Sequence, residues 1–584
     1  MVPRRCGTGD RKELSITVSE STARTELKGI GVSAGTASGP IALVTPAVGI
    51  DQHEPASVDP ESDGVRVREA LEGVAASLRS RAEHANSETS KAVLEATATL
   101  ATDKGLIKGI DKELKKGSGV TKAIHDAVET YAAKLRKLGG YMAERVTDLY
   151  DIRDRATARV RNLPEPGIPD LTEPSILIAE DLAPAETATL DPESVLGIIT
   201  EAGGATSHTA ILAAQLGIPA AVQVKGIAEA VVNQPQVALD GGTGKIIVAP
   251  DAADVSELEA RSRRRAELLA DSAGEGATRD GHKVKLLANI GTAEDARKAA
   301  KFDLEGSGLF RTEFLFLDRD AAPSVEEQTE TYIKVLQAFG QRRVVVRTLD
   351  AGADKPLSFA DLGPEENPAL GRRGLRLSME RVDLIDQQLE ALAAAHQAVE
   401  GADLWVMAPM VSTIEETEWF AERARSYGLP QIGVMVETPA AAILSEQILT
   451  VADFASIGTN DLSQYTMAAD RMQGELAGLL SPWQPAVLRM IQTTAQGGEH
   501  NGKPIGVCGE AGGDPLVALV LAGLGVSSLS MAPAKVSAVR AALRLHDLET
   551  CRNMADLAIK APTASQAREA ALELADPIIR DLVS

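Results

Sequence analysis

The chain has 584 residues, of which 44% are apolar and 24% charged, a composition typical of a globular protein with roughly three or four domains. Acidic residues outnumber basic ones 83 to 60, and the net charge of −23 argues against general nucleic-acid binding, which needs a basic surface. The three cysteines, Cys6, Cys508 and Cys551, cannot build a disulfide framework and predict reduced thiols in a cytoplasmic protein.

The N-terminus is predicted to be a flexible tail. Residues 1–26 are polar, rich in Ser and Thr, and show little apolar periodicity. The start, MVPRRCGTGD, has charge but no apolar segment behind it, so we expect no signal peptide. No uninterrupted apolar stretch approaches the length of about 18 residues that a membrane span needs, so we expect no membrane insertion.

A strand-rich domain divided by helices is predicted next. Glycines separate short strands in GIGVSAGTASGPIALV, and strands return later in SILIAE, LGIITE, QVALD and IIVAP. Between them, residues 62–162 carry apolar residues three and four apart with almost no proline, a pattern that predicts an antiparallel helical domain. We therefore assign residues 27–61 and 163–250 to one α/β domain, which the helical domain 62–162 splits.

A charged connecting helix over residues 251–275 leads into a C-terminal region, residues 276–584, where short apolar runs alternate with helical sequence. Eight such runs, each followed by a helical segment, predict a (β/α)8 TIM barrel, with a doubly wound open sheet as the alternative. The runs are VKLLANI, SGLFRTE, RVVVRTLDAG, LWVMAPMV, IGVMVETP, FASIGTND, PIGVCGEAG and SSLSMAP.

His208 is a candidate nucleophile. It lies in GGATSHTAILAAQLGIPA, where two glycines precede a helical segment that ends at Gly217 and Pro219, so His208 falls in the first turn of a helix. A helix N-terminus favours a neutral imidazole and stabilises a phosphoryl group once it is attached. A surface or capping histidine is the alternative for a lone residue of this type.

Two carboxylates are candidate metal ligands. Glu437 and Asp461 follow two consecutive barrel strands, and Asn460 stands beside Asp461. Two carboxylate ligands, completed by water and a substrate phosphate, suit Mg²⁺, and no His or Cys cluster favours zinc instead. Ordinary carboxylates at strand ends would give the same pattern.

Four arginines and one cysteine are candidates for the same face of the barrel. Arg311 and Arg347 directly end apolar runs, and Arg373 and Arg471 lie near that face. Arginine binds phosphate and carboxylate oxygens bidentately, although arginines in loops are often only solvated. Cys508 ends another run, which leaves acid–base chemistry and a buried packing role as its two interpretations.

Taken together, these segments resemble the phosphoenolpyruvate–protein phosphotransferases, the Enzyme I family of the sugar phosphotransferase system. The resemblance implies a swivelling phosphohistidine α/β domain, an inserted helical docking domain for the phosphocarrier protein HPr, and a phosphoenolpyruvate-binding TIM barrel that forms a homodimer. It runs from about Leu27 to near the C-terminus through GGATSHTA, GLFRTEFLFLDR, VVRTLDAGADKPL, NPALGRRGLR, VMVETPAAA, SIGTNDLSQYTMAADR and VCGEAGGDP.

The resemblance also implies a role for each candidate residue. His208 would take the phosphoryl group from phosphoenolpyruvate, with Mg²⁺ as cofactor, and pass it to HPr. Cys508 would protonate the enolpyruvate carbon to give pyruvate. The metal would be held by Glu437 and Asp461, and the substrate by Arg311, Arg347, Arg373, Asn460 and Arg471.

Two positions depart from the family pattern. Ala205 stands where many members carry Arg, beside the candidate nucleophile, and Arg372 stands where an aromatic residue is common. Neither change removes one of the chemical groups named above.

Three other interpretations fit the sequence less well. A related dikinase or phosphoenolpyruvate synthase needs a large ATP-binding domain, for which the residues before His208 leave no room. The nitrogen-branch paralogue would add an N-terminal sensory domain, which residues 1–26 cannot form. An inactive phosphorelay scaffold would need none of the chemical groups that this sequence contains.

Overall fold

The computed structural model describes most of the chain between Arg24 and Val583, and the structural statements that follow concern those residues. Among them, no helix combines the length and the apolar character that crossing a membrane requires. The described ranges are 24–51, 53–83, 88–138, 145–169, 171, 173–182, 190–204, 208–270, 272–317, 319–351, 357–360, 362–363, 365–471 and 473–583.

The first domain is built around an eight-stranded mixed sheet. Its strands are β1 (Thr25–Lys28), β2 (Ile30–Ser33), β3 (Thr36–Leu43), β4 (Ser175–Ala179), β5 (Val195–Thr200), β6 (Ala220–Val222), β7 (Gln236–Asp240) and β8 (Lys245–Val248). The order is β1-β8-β7-β3-β4-β5-β6-β2, with β3 to β6 parallel in the middle and antiparallel pairs at both ends. Strands from both sides of the helical segment therefore share one sheet.

Two details of the sheet differ from the prediction. Thr25 and Glu26 fall within the predicted flexible tail, but they belong to β1 because they pair with Val248 and Ile247 of β8. The strand β6 was not predicted, because a run of three small apolar residues gives no alternation and little β-branched character. The exact residues at which one domain gives way to the next stay a prediction.

Five helices lie between β3 and β4 in the part of the chain described here. They are α1 (Pro60–Glu83), α2 (Glu88–Ala101), α3 (Lys104–Lys115), α4 (Val120–Leu138) and α5 (Val146–Val160). Their apolar faces form a core of their own, in which Leu71, Ile110, Ile124 and Ile152 are at most 1% exposed. This core shares no described residue with the core of the sheet, so the insert and the sheet are separate packing units.

Ion pairs tie the connecting helix to its neighbours, and the half-buried Leu268 and Leu269 in its last turn pack against the barrel core. Two helices of the sheet domain precede it, α6 (His208–Leu216) and α7 (Ile227–Ala230). The connecting helix itself is α8 (Ala252–Ala270), and none of its described residues is fully buried. Arg261 bridges Asp240 of β7, at 2.8 Å, and Asp581 near the C-terminus, at 3.2 Å. Arg264 adds a second ion pair to Asp581 at 2.8 Å. The helix is thereby tied to the sheet on one side and to the end of the chain on the other.

Eight parallel strands close into a barrel, which confirms the predicted TIM barrel and excludes the open sheet. They are β9 (Lys285–Ile290), β10 (Gly306–Arg311), β11 (Arg343–Arg347), β12 (Leu404–Val411), β13 (Ile432–Val436), β14 (Phe454–Ile457), β15 (Ile505–Val507) and β16 (Ser528–Met531). Each of the eight predicted apolar runs coincides with one of these strands, and only β10 extends beyond its run, by one residue at Gly306. The runs lack polar alternation because both faces of a barrel strand are buried.

Helices pack around the outside of this barrel. Inside it, Leu309, Val345, Trp405, Met407 and Phe454 fill the space between the strands, so the barrel is a packed core rather than a pore. The helices are α9 (Ala293–Ala299), α10 (Val325–Phe339), α11 (Leu375–Glu380), α12 (Val382–Ala398), α13 (Ile414–Ser426), α14 (Pro439–Ile443), α15 (Ser445–Val451), α16 (Thr459–Met467), α17 (Pro485–Asn501), α18 (Pro515–Gly523), α19 (Val536–Leu545), α20 (Leu548–Lys560), α21 (Ala564–Leu574) and α22 (Ile579–Val583).

Candidate active site

A polar cavity of about 170 Å³ opens at the carboxyl ends of the barrel strands. Arg311 and Arg347 are the last residues of β10 and β11, and Glu437 and Cys508 directly follow β13 and β15. The fold brings these side chains together because all the parallel strands end at the same face of the barrel. The predicted residues that line the cavity are Arg311, Arg347, Arg373, Glu437, Asn460, Asp461, Arg471 and Cys508.

Two buried arginines share one buried aspartate at the floor of the cavity. Arg347 Nη1 lies 3.2 Å from Asp350 Oδ2, and Arg373 Nη2 donates to the same oxygen at 3.1 Å. Glu313 Oε1 accepts from Arg347 Nη2 at 2.9 Å and from the Asp350 backbone N–H at 3.1 Å. Burial alone would raise the pKa of Asp350, but the guanidinium groups of Arg347 and Arg373 hold it below its ordinary value. The two arginines are therefore fixed in place before any substrate binds.

Asp461 anchors the opposite side of the cavity. It lies in the first turn of α16, directly after β14, beside the half-buried Asn460. Arg373 Nη1 donates to Asp461 Oδ1 at 3.1 Å, and Arg471 Nη1 lies 3.5 Å from Asp461 Oδ2. Arg373 thus connects Asp350 with Asp461 and links the two sides of the site.

Glu437 is almost fully buried, with 1% of its surface exposed. Its Oε2 accepts a hydrogen bond from the Met410 backbone N–H at 3.0 Å, and its Oε1 lies 3.6 Å from Arg347 Nη1. Burial, followed by repulsion from the nearby Asp461 carboxylate, raises the pKa of Glu437 to about 8. Two carboxylates that repel each other across a polar cavity are the arrangement that a cation would stabilise.

The donor set of the cavity fits a hard divalent cation. Glu437 and Asp461 offer carboxylate oxygens, and such oxygens suit Mg²⁺ or Mn²⁺. No histidine is among the described residues that line the cavity, and a single buried thiol, that of Cys508, does not make a zinc site. No group of three or more His, Cys, Asp or Glu side chains is arranged to hold a metal within the described ranges. A metal here would need water or substrate oxygens as its remaining ligands, which is the usual behaviour of Mg²⁺.

Arg311 differs from the other arginines of the site. Its side chain is exposed at the cavity mouth, and within the described part of the chain it makes no ion pair or side-chain hydrogen bond. Arg347 and Arg373 are each less than a tenth exposed. Arg311 is therefore the arginine of this group that is most available to an incoming anion.

Cys508 is buried at the edge of the cavity, with 1% of its surface exposed. Its thiol points toward the Ile457 carbonyl oxygen at 3.6 Å, and its own carbonyl oxygen accepts from Asn289 Nδ2 at 3.0 Å. Burial raises the pKa of the Cys508 thiol to about 11, so the sulfur keeps its proton at neutral pH. This protonation state suits a proton donor and does not suit a thiolate nucleophile.

The helix α6 begins at His208, as the sequence predicted. Upstream, Gly203 has φ 86°, a left-handed conformation that glycine adopts without steric cost, and its carbonyl oxygen accepts from Gln223 Nε2 at 3.0 Å. The side chain of His208 lies outside the described residues, as do residues 205–207, among them the unusual Ala205.

Sequence reasoning missed the residues that hold the arginines in place. Glu313 follows Arg311 by two positions, and Asp350 follows Arg347 by three. A carboxylate close behind an arginine at a strand end is a weak signal, because exposed ion pairs have the same spacing. Arg372, one of the two departures noted above, donates to Glu365 at 2.7 Å within its own loop and does not line the cavity.

Three protein-family models, all of phosphoenolpyruvate-utilising enzymes, match the chain. The N-terminal model covers residues 28–145, the mobile-domain model residues 171–244, and the phosphoenolpyruvate-binding-domain model residues 265–548. The barrel cavity described above lies within the range of the third. The fold and these matches together define the class of the protein as a phosphoenolpyruvate-utilising enzyme.

Comparison with individual proteins assigns the chain to one family within this class. The phosphoenolpyruvate-protein phosphotransferase of Streptomyces coelicolor is 48% identical over 94% of this chain and 98% of its own length. That of Haloferax volcanii is 38% identical over 86% of this chain and 90% of its own length. An NMR solution structure of Enzyme I aligns with 41% of this chain and 98% of its own, at 31% identity and a TM-score of 0.36. The identity and coverage of the two phosphotransferase matches show that the chain belongs to the phosphoenolpyruvate-protein phosphotransferase family.

Proposed function

We propose that this protein transfers the phosphoryl group of phosphoenolpyruvate to His208 and then to HPr, releasing pyruvate, as the cytoplasmic first step of a sugar phosphotransferase system. The observation that carries the proposal is the cavity in which four arginines and one protonated thiol meet the carboxylates of Glu437 and Asp461. Phosphoenolpyruvate carries a phosphate and a carboxylate, which together need several cationic partners. By resemblance, a homodimer formed through the barrel is part of the same proposal.

The arginines divide into two roles in this mechanism. Arg347 and Arg373 are preorganised by Asp350, so they contact phosphate oxygens without a cost for ordering their side chains. Arg311 and Arg471, nearer the mouth, close on the substrate as it enters, with Asn460 beside them. Glu437 and Asp461 would hold Mg²⁺, which would neutralise the charge of the transferring phosphoryl group.

Two groups of this chain carry out the chemical steps, the imidazole of His208 and the thiol of Cys508. The neutral imidazole of His208 forms a bond from nitrogen to phosphorus as the bond from phosphorus to the enol oxygen breaks, and the electron pair stays on the departing enolate. The Cys508 thiol then gives its proton to the enolate carbon, which yields pyruvate, and regains a proton from solvent. HPr afterwards takes the phosphoryl group from His208, which restores the free imidazole.

An assay of pyruvate release tests the function and the division of labour together. The full chain with phosphoenolpyruvate, Mg²⁺ and HPr is expected to turn over many times, whereas without HPr it should stop after one phosphoryl group per chain. A fragment of residues 24–250, which keeps β1 and both N-terminal cores, is expected to exchange phosphoryl groups with phosphorylated HPr but to release no pyruvate. Continuous turnover without HPr, or pyruvate release by the fragment, would contradict the proposal.

Cys508→Ser tests the proposed proton donor. We expect the variant to phosphorylate His208 normally, because that step needs no acid, but to form pyruvate from the enolate about 10²- to 10⁴-fold more slowly. Rapid quenching should therefore show a burst of phosphorylated protein followed by delayed pyruvate. Cys551→Ser is the matched control, since Cys551 is equally buried but lies on α20, away from the cavity. Equal rates of the two events in Cys508→Ser would assign Cys508 to packing.

A further inference from the structure

The strand β12 contains an irregularity next to the cavity. Ala408 pairs with Val434 of β13, and Val411 pairs with Val436, so three steps along β12 match two steps along β13. The extra residue makes a β-bulge. Pro409 lies inside it. A proline has no N–H to give to the ladder, so a central strand tolerates it at an irregularity such as a bulge.

The residue after this proline has an unusual backbone conformation. Met410 has φ 56°, in the left-handed region that residues other than glycine rarely adopt. Both Met410 and Glu437 are 1% exposed, and in this conformation the Met410 N–H donates to Glu437 Oε2 at 3.0 Å. The bulge thus turns a backbone donor away from the strand ladder and directs it at a carboxylate of the site.

The neighbouring elements fit around this arrangement. A β-carbon on Gly458, just after β14, would lie 2.7 Å from both Cγ and Oε1 of Glu437, so the glycine makes room for the Glu437 side chain. A β-carbon on Gly374 would lie 2.9 Å from the Met410 β-carbon, which places Met410 against the loop that carries Arg373. Met410 therefore contacts both the candidate metal ligand and the segment of a candidate substrate arginine.

We infer that Met410 is a positioning residue, whose bulged backbone N–H fixes the rotamer of Glu437 so that Oε1 stays directed into the cavity for a divalent cation. Because Oε2 already accepts the backbone N–H, Oε1 is the oxygen with more free acceptor capacity for a metal. Groups that hold a metal ligand in place change metal affinity even though they never contact the metal. The inference rests on the proposed function, because it takes Glu437 as a metal ligand.

Two variants of Met410 distinguish the effect of the backbone N–H from the effect of the side chain. Met410→Gly keeps the N–H and adopts a positive φ freely, whereas Met410→Val keeps an apolar side chain whose branched β-carbon disfavours that conformation. Binding of Mn²⁺ to the full chain, with oxalate as a planar dianion that cannot transfer a phosphoryl group, is followed by electron paramagnetic resonance. We expect affinity about 10- to 100-fold weaker in Met410→Val, and within about threefold of the native chain in Met410→Gly.

Each outcome of this experiment decides a different point. Native affinity in both variants overturns the inference, and so does equal weakening in both, because the side chain would then be responsible. A loss of thermal stability in Met410→Val with unchanged affinity assigns the bulge to folding alone. If the native chain itself fails to bind Mn²⁺, the proposed metal site fails, and that result is distinct from a failure of the positioning role.

A second measurement applies if Met410→Val does not fold. The chain has 11 methionines, so selective ¹⁵N-methionine labelling of the perdeuterated protein gives a simple amide spectrum, in which Met410→Leu identifies the Met410 signal. We expect this signal to shift on saturation with Mg²⁺ and oxalate, because the carboxylate that accepts its hydrogen bond through Oε2 binds the metal through Oε1. A Met410 signal that does not move while other signals report binding overturns the inference.

Discussion

Replacing His208 with alanine is expected to abolish both phosphorylation of the protein by phosphoenolpyruvate and the release of pyruvate. The helix α6 begins at His208, so a phosphoryl group on its imidazole would lie at a helix N-terminus, where free N–H groups stabilise negative charge. Alanine keeps the helix but has no nucleophile. The measurement is the amount of label transferred from [³²P]phosphoenolpyruvate to the protein, together with the pyruvate formed.

A matched control distinguishes loss of the nucleophile from a general effect of losing a histidine. His500 is exposed on α17 and pairs with Glu446 at 3.3 Å, away from the barrel cavity. His500→Ala should accept label and release pyruvate like the native chain. Label that persists in His208→Ala would show that another residue is the nucleophile.

Replacing Glu437 with glutamine is expected to slow phosphoryl transfer by about 10³-fold or more. Glutamine keeps the shape of the side chain and a carbonyl oxygen for the Met410 N–H, so the substitution removes the charge that Glu437 would carry with a cation bound and changes the packing little. Without that charge the divalent cation loses a ligand, and the charge on the transferring phosphoryl group is left uncompensated. The measurement is the single-turnover rate of His208 phosphorylation as a function of Mg²⁺ concentration.

Glu446, the exposed partner of His500, supplies the control for Glu437→Gln. Glu446→Gln removes a carboxylate from α15, outside the cavity, and should leave both the rate and the Mg²⁺ dependence unchanged. Partial recovery of Glu437→Gln at high Mg²⁺ would agree with a weakened metal site. Full activity of the native chain in excess chelator would contradict a role for any divalent metal.

Most of the fold could be predicted from the sequence because its elements obey simple periodicities. Each barrel strand is a continuous apolar run followed by a helix, and that repetition indicates closure without any long-range information. The strand β6 could not be predicted, since three small residues form a strand only when β5 and β2 lie on either side of them. The same holds for Thr25 and Glu26, which are ordered by pairing with β8.

The residues at the strand ends of the candidate site could be predicted from the sequence, but the carboxylates that hold the arginines in place could not. Arg311 and Arg347 end strands, Glu437 and Cys508 directly follow strands, and the topology then brings such positions together. The roles of these residues stay predictions. The buried bridge through Asp350 could not be predicted, because nothing local distinguishes a shared counterion from a surface carboxylate. The bulge at Met410 did leave a signal, since a proline inside an otherwise central strand indicates one.

The measurement that tests the central claim most directly is the location of the phosphoryl group in the native chain after a single turnover. The full chain is mixed with [³²P]phosphoenolpyruvate and Mg²⁺ without HPr, quenched in alkali, digested and mapped by mass spectrometry. We expect one acid-labile, alkali-stable phosphoramidate per chain, on the peptide that contains His208, and its transfer to HPr when HPr is added before the quench. Label on any other residue, or a phosphorylated His208 that HPr cannot discharge, would contradict the proposed function.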